Sequence, residues 1–359
     1  MSEADLDQPG NQEIEVSVFG RGFGECIVCH IGDGQWVIVD SLLTQDGRPV
    51  APAYLEGIGV DLGQVQSIIL THWHDDHVRG ASDIVARCPN ATVTFPITLC
   101  QDEFKQVLKR YGNVVAGRFT NGVEELLRTL ETLGGQKHRR KYAIANRVII
   151  ETGDARVEAL SPSDEDVEKF IVAIHEWAGE ARTDGRIAKP RRNDTSVVVV
   201  VKVADELILL GGDLEVRDSL SGWQAVHEIA WGGRGKAKVF KVAHHGSITG
   251  EYAPVWDDLL DADPISVLAP YNRGHKLPTT TDVARISMRS GEAFAASTLE
   301  VRRGSRQNRT VERTLAEANI RLFRMPPEVG QVRLRKRIGS DEWTVALFQS
   351  ACRLEDIAA

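Results

Sequence analysis

IILTHWHDDH, residues 68–77, decides how the rest of the chain is read. The apolar run Ile68-Ile69-Leu70 predicts a buried strand, and three histidines and two aspartates follow it within seven residues. The whole chain holds 10 histidines, so three of them here form a marked local concentration. His72 and His74 are two residues apart, and an extended segment points them the same way. Asp76 and His77 follow where the chain turns toward a helix. Imidazole and carboxylate are donors for Zn²⁺ and its borderline relatives, and one pair can hold one cation while the other pair holds a neighbour. The competing reading is a solvated polar loop, and the density of donors argues against it.

Three other predicted strand ends carry matching residues. ELILL ends in Gly211-Gly212-Asp213, where a carboxylate can bridge two cations. VFKVA ends in His244-His245-Gly246-Ser247 and offers a further imidazole. QWVIV ends in Asp40, which reads as an acid standing behind the ligands and orienting one of the histidines. Acids and histidines at several strand ends converge on one rim when the strands share a sheet edge.

Composition sets the frame. A length of 359 residues suits one large domain or two small ones, with ample core. Apolar and charged fractions of 42% and 26% are those of an ordinary soluble globule. The opening MSEADLDQPGNQ is acidic and polar and predicts no secretion signal. The chain has no apolar run of the ~18 residues that a membrane span needs, so no membrane partner is expected. Five cysteines, an odd number without framework spacing, fit a reducing cytoplasm as the expected location. Cys26-Ile27-Val28-Cys29-His30 spells a haem-attachment pattern, but ECIVCHIG reads as a strand, and buried strand cysteines are the expectation. The net charge of −8 argues against a surface coated in base. Basic residues are nonetheless clustered: eleven Lys/Arg against three Glu between Arg302 and Arg337, with KHRRK at 137–141 and RIAKPRR at 186–192. Solvated loops are the plain reading of such runs, and a polyanion-binding face is the sharper one.

Strands are expected at Glu13–Phe19, CIVCHI, QWVIVD, VQSIIL and ATVTFP. A second group is expected at NRVIIETG, ARVEALSPS, the pair TSVVVVVKVADELILLGGD, AKVFKVAHHGS and PISVLAPYN. Helices are expected at Gly80–Arg87, Asp164–Ala181 and Asp282–Ser290, and a mainly helical insertion, about residues 101–146, separates the two strand groups. The tail GQVRLRKRIGSDEWTVALFQ reads as a β-hairpin turning at Gly339-Ser340. Two strand groups with helices between them fit a layered α/β protein of two sheets.

With these residues in view, the chain resembles the metallo-β-lactamase fold superfamily. The resemblance rests on Asp40, His72-x-His74-x-Asp76-His77, Asp213 and His244/His245, in that order. More closely, it resembles the hydrolase domain of ComEC/Rec2 competence proteins, here free-standing, through FGRGFGECIVCHIGDGQWVIVD, NDTSVVVVV, LLGGD, KVAHHGS and PYNRGHKLP. The resemblance covers roughly Glu13 to Pro278, with the helical insertion and the tail outside it, and implies a four-layer αββα sandwich with metals at one edge. A hydrolase domain is expected over residues 13–325, with residues 326–359 as a C-terminal β-hairpin extension packed on it. It implies two divalent ions: His72 and His74 on the first, Asp76 and His77 on the second, Asp213 between them. The HHGS pair supplies the last ligand, His245 being favoured over His244. Many members place another first-metal histidine before the bridging acid. Here the candidates are His138 and His175, while the matching position reads NDTS, so Asn193, Ser196 or water stands in. Zn²⁺ is the favoured metal, and the more oxygen-loving Mn²⁺ is the alternative.

Two adjacent cations lower the pKa of a shared water toward ~7 and clamp the oxygens of an in-line displacement. A phosphodiester, an ester, a thioester and a lactam are all open to such attack. The resemblance to a branch thought to degrade DNA, and the basic clusters, favour a phosphodiesterase or nuclease acting on DNA, RNA or a nucleotide. Asp76 and His275 are the candidate catalytic residues. His275, in NRGHKLP, is placed to protonate the leaving oxygen or bind a non-bridging one, with Arg273 and Lys276 beside it for the substrate phosphate. The other readings are a carbon-ester, thioester or lactone hydrolase and, because of the missing histidine, a non-catalytic nucleic-acid-binding or sensor module. The oligomeric state is open.

Overall fold

The structure, a computed structural model, describes residues 7–100, 121–180, 192–299 and 328–357. The first strands are β1 (Glu13–Gly20), β2 (Glu25–Ile31), β3 (Trp36–Val39), β4 (Val65–Ile69), β5 (Thr92–Pro96) and β6 (Arg140–Ala143). Then come β7 (Arg147–Thr152), β8 (Ala155–Ala159), β9 (Val199–Val203), β10 (Glu206–Leu210), β11 (Ala237–Lys241), β12 (Leu260–Leu268) and β13 (Glu292–Ala295). The tail adds β14 (Gly330–Arg337), β15 (Thr344–Phe348) and β16 (Cys352–Arg353). The helices are α1 (Val50–Gly57), α2 (Asp75–Val78), α3 (Ala81–Arg87), α4 (Asn121–Leu133), α5 (Asp164–Glu180), α6 (Gly222–Ala225) and α7 (Thr280–Arg289).

Two eight-stranded sheets result, ordered β15-β14-β1-β2-β3-β4-β5-β6 and β16-β13-β12-β11-β10-β9-β8-β7. Strand alternation sends one set of side chains inward and the other outward. Val16, Val18, Val37 and Val39 of the first sheet meet Val157, Val199, Val201 and Val239 of the second in a shared core. The outer face of the first sheet packs Val28, Ile38 and Ile68 against Leu55, Ile84 and Leu126 of the helices. The outer face of the second packs Val200, Leu209 and Phe240 under Trp223, Val226 and Ile286. Helix, sheet, sheet and helix form the expected αββα sandwich. The same alternation disposes of the haem pattern. Cys26 faces the helix layer and Cys29 the inter-sheet core. Burial raises both thiols, Cys29 to about 12.

Strand direction positions the site. β3 to β6 run parallel, as do β10 to β13, so the residues that leave these strands gather along one edge. Asp40 follows β3, the 71–77 segment follows β4, Asp213 follows β10, and the His244-His245 pair follows β11. The two rims are stitched together where Val197 N donates to Thr71 O at 3.0 Å.

Several expectations are refined. Of the insertion expected over 101–146, residues 101–120 lie outside the described residues. Its remainder is helix α4 and then β6, which pairs in parallel with β5 and is an integral strand of the sheet. RKYA is too short and too basic to announce itself as a strand, and neighbouring backbone decides it. β13, EAFA, escaped sequence reading for the same reason of length. The tail hairpin is woven into both sheets: β14 pairs with β1 over its whole length, and β16 pairs with β13. Three residues of the basic runs are engaged within the protein. Arg139 is buried and donates to the carbonyls of Val85, Cys88 and Ala91. Arg335 pairs with Glu15 at 2.7 Å, and Lys336 pairs with Glu206. Residues 186–191 and 302–327, which hold most of the other basic runs, lie outside the described residues. Among the described residues no helix is long and apolar enough to cross a membrane.

If the tail is core, trimming it costs what core costs. Leu334 of β14 is 0% exposed and packs in the inter-sheet cluster. Leu334→Ala is expected to lose about 2–5 kcal/mol of stability in chemical denaturation, against the few tenths expected of a peripheral strand.

Candidate metal centre

The sequence-predicted donors meet. Asp213 Oδ2 lies 3.3 Å from His77 Nε2, 3.4 Å from His245 Nε2 and 3.7 Å from His72 Nε2. Two donor groups share it: Asp76, His77, Asp213 and His245 form one, and His72, His74 and Asp213 the other. Within the second, His72 Nε2 and His74 Nδ1 are 2.9 Å apart. Within the first, His245 Nε2 stands 3.1 Å from Asp76 Oδ2.

Backbone shape puts these atoms there. Gly212, at φ +51, makes the bend after β10, and a Cβ on it would come within 2.7 Å of Ser196 Oγ and 2.8 Å of Val197 O. Asp213 N then donates to Ser196 Oγ at 2.9 Å. His244 and His245 both hold positive φ, 48° and 53°, and Asp40 holds 60°. Non-glycine residues in that region are costly and cluster at functional sites.

Asp40 organises two of the ligands at once. It accepts from Thr71 N, Thr71 Oγ1 and His77 Nδ1, each at 2.7 Å. With the Thr71 hydroxyl donating to Asp40, its oxygen is left to accept from His72 Nδ1 at 3.0 Å. Both imidazoles are thereby held through Nδ1, with Nε2 aimed at the cluster. His245 Nδ1 donates to Ala269 O at 2.9 Å and is fixed in the same sense. Behind the cluster sits a pair that sequence reasoning missed. Lys241, 1% exposed, lies 2.6 Å from Glu25 and donates to Gly212 O at 3.1 Å, which ties the cationic head to the bend that carries Asp213. A lysine inside the apolar run KVFKVA was the one available signal.

The charge distribution fits a cation. His77 Nε2 and Asp213 Oδ1 are buried with no hydrogen-bond partner among the described residues. Such atoms are costly unless something else satisfies them. Burial alone would push His245 down, but Asp213 and Asp76 outweigh it and hold it at about 10. His77 is raised well above its usual value in the same way, burial being outweighed by Asp213, Asp40 and Asp76. Burial would raise Asp76 and Asp213, and the two imidazoles overcome it and hold both below the ordinary carboxylate range. In the metal-free protein, protons stand where the donor set is suited to hold divalent ions.

The remaining candidates fall into distinct places. His244 is outside both donor groups: its Nδ1 is 2.8 Å from Thr249 Oγ1, and its Nε2 is 3.2 Å from Asn193 Nδ2. Asn193 Oδ1 and Thr195 Oγ1 of the NDTS segment are both buried without a hydrogen-bond partner among the described residues. Ser196 spends its oxygen on Asp213 N and orients that acid instead. His138 and His175 are exposed and belong to neither donor group. A cleft of about 470 Å³ opens over the cluster, walled by Phe23, Tyr271, Arg273 and His275. Its wall is a small closed loop: Tyr271 and Leu277 exchange two backbone hydrogen bonds of 2.8 Å, and Asn272 N donates to Gly22 O at 2.6 Å. The Arg273 guanidinium sits 3.5 Å from the Phe23 ring centroid. Lys276 is exposed on the same loop and does not line the cleft.

A two-sheet sandwich with buried imidazole and carboxylate donors at one edge defines a metal-dependent hydrolase. The chain belongs to the metallo-beta-lactamase superfamily, whose family model matches residues 20–252. No curated protein matches it in sequence. Similar solved structures include the metallo-beta-lactamase SMB-1 bound to 2-mercaptoethanesulfonate, at 12% identity over 70% of this chain and 87% of that one, with a TM-score of 0.32. Another is MEM-A1, a subclass B3 metallo-beta-lactamase from a soil metagenome library, at 13% identity over 68% and 82%, with a TM-score of 0.35.

Two outcomes test the centre. Elemental analysis of Zn²⁺- or Mn²⁺-loaded protein is expected to show about two ions per chain, falling below one in Asp213→Ala. Metal uptake at pH 7 is expected to release protons held by His77 and His245. Affinity should therefore rise with pH toward the raised value of about 10 for His245. Titration calorimetry in buffers of different ionisation enthalpy reads that release, and proton-neutral binding would contradict it.

Proposed function

We propose that the chain is a metal-dependent phosphodiesterase, with a nucleic acid or nucleotide as substrate. The observation that carries this reading is Arg273. Its guanidinium is held against Phe23 on the cleft wall and, among the described residues, has no carboxylate within ion-pair distance. A cation so placed beside a metal cluster suits a substrate that is anionic at the reacting group. The likeness of GRGFGEC, NDTS, HHGS and NRGHKLP to ComEC-type hydrolase domains supports the same reading.

Two divalent cations bound by the donor groups would supply an activated water and neutralise charge developing on the phosphoryl oxygens. Four imidazoles in the donor set favour Zn²⁺, with Mn²⁺ as the alternative. The chain's own side chains do the rest. Asp76, Asp213 and the four histidines hold the reacting centre. Arg273 takes a non-bridging oxygen. His275, on the cleft rim, carries the proton for the leaving oxygen. Tyr271, whose ring centroid is 5.2 Å from that of His245, closes the wall against solvent.

The test is turnover by metal-loaded protein of bis(p-nitrophenyl) phosphate, a p-nitrophenyl carboxylic ester and a chromogenic lactam, side by side. The phosphodiester is expected to be cleaved, with Arg273→Gln lowering kcat/KM by about 10-fold or more. Cleavage of the ester or the lactam alone would overturn the reading. No turnover with Zn²⁺, Mn²⁺, Co²⁺ or Mg²⁺, in protein that still binds nucleic acid, would make this a non-catalytic relative.

A further inference from the structure

A second cavity, of about 220 Å³, lies against the metal cleft and shares Phe23, Asp75 and Asp76 with it. Its other walls include Arg21, Leu43, Thr44 and Arg79. Arg79 directly follows α2, the short helix that carries Asp76 and His77. Its guanidinium carbon is 5.3 Å from the Phe23 centroid, so Arg79 and Arg273 both address one ring, the first in the second cavity and the second in the metal cleft. Arg79 Nη2 is 3.4 Å from Asp75 Oδ2, while its Nε is buried without a hydrogen-bond partner among the described residues. Arg21, in the Gly-rich turn, reaches toward Leu43 O at 3.4 Å. Burial lowers Arg273, and the Arg79 charge adds to that, so the two cations sense each other. The acids lining the second cavity are Asp75, which pairs with Arg79, and the metal donor Asp76, whose charge bound cations would offset.

Fork-shaped donors, a guanidinium Nε without a hydrogen-bond partner among the described residues and a cavity wall shared with the reacting centre suit a second anion. We propose that this cavity is a subsite for the phosphate next to the scissile one, read by Arg79 and Arg21, and that the substrate is an oligonucleotide strand. The proposal rests on the phosphodiester reading above. A strand presents a phosphate at every nucleotide, and two adjoining cavities, with Arg273 in the first and Arg79 in the second, match that repeat. A compound with a single phosphodiester fills the first cavity and leaves the second without its ligand.

The experiment compares thymidylyl-thymidine, with one phosphate, and the trinucleotide TpTpT, with two, using metal-loaded protein. A kcat/KM about 10-fold or more higher for TpTpT, carried by KM, is expected, and Arg79→Gln should bring the ratio close to one. In parallel, fluorescein-labelled hexathymidylate is titrated into metal-free wild type, Arg79→Gln, Arg79→Lys and Arg21→Gln, with a thermal melt confirming each fold. Arg79→Gln should weaken binding and flatten the slope of log affinity against log salt by about 0.7, while Arg79→Lys retains the slope. A structural defect would not move the salt slope selectively. Should Arg21→Gln fail to fold, the partly exposed Arg79 still decides. Cleavage of both substrates at equal kcat/KM overturns the subsite and leaves the phosphodiesterase reading intact. Cleavage of neither, with binding weakened by Arg79→Gln, supports the subsite and overturns catalysis. Binding unaffected by Arg79→Gln overturns the subsite.

Discussion

The Asp213 carboxylate, 2% exposed and within 3.7 Å of three imidazole nitrogens, is the constraint around which this molecule is arranged. Two buried acids, Asp76 and Asp213, cannot sit together in a sandwich edge without positive charge between them. Protons on His77 and His245 supply it in the metal-free chain, and divalent ions are the group the donor geometry suits. Because Asp213 leaves the second sheet and its imidazole neighbours His72 and His77 leave the first, the same interaction fastens the two sheets. Fold and chemistry meet at one atom.

The scaffold spends structure to hold that atom still. Asp40 fixes the ring orientation of His72 through Thr71 and of His77 directly. Lys241 reaches from β11 to the Gly212 carbonyl and sets a buried cation beside Glu25. Positive φ at Asp40, His244 and His245 places strain where residues of the site must leave their strands abruptly. These features lie behind the cleft, whereas Phe23, Tyr271, Arg79 and Arg273 lie in front of it. The division separates what holds the centre from what meets a substrate.

Much of this was legible in the chain. The donors of THWHDDH, LLGGD and HHGS announce themselves because each sits just after an apolar strand, and parallel strands deliver their ends to one edge. The sandwich was legible because long Val- and Ile-rich strands leave little ambiguity. What was not legible depends on contacts between distant segments. RKYA becomes a strand because β5 offers it a partner, and Arg139 goes inside because three carbonyls await it. Arg335 and Lys336 lie in the first strand of the expected hairpin, but their partners Glu15 and Glu206 come from distant segments. Lys241 and Glu25 form one pair only after two sheets close, and Arg79 gains meaning only beside Phe23 and Arg273. The choice between His244 and His245 likewise rests on a backbone carbonyl, Ala269 O, that no spacing reveals.

The central claim is that Asp213 stands between two cations, with Asp76, His77 and His245 on one and His72 and His74 on the other. Anomalous diffraction at the zinc edge from crystals of the metal-loaded protein tests it most directly. The account predicts two peaks flanking the Asp213 carboxylate, each with those side chains as ligands. A single peak remote from Asp213, or peaks coordinated without His72 and His77, would contradict it.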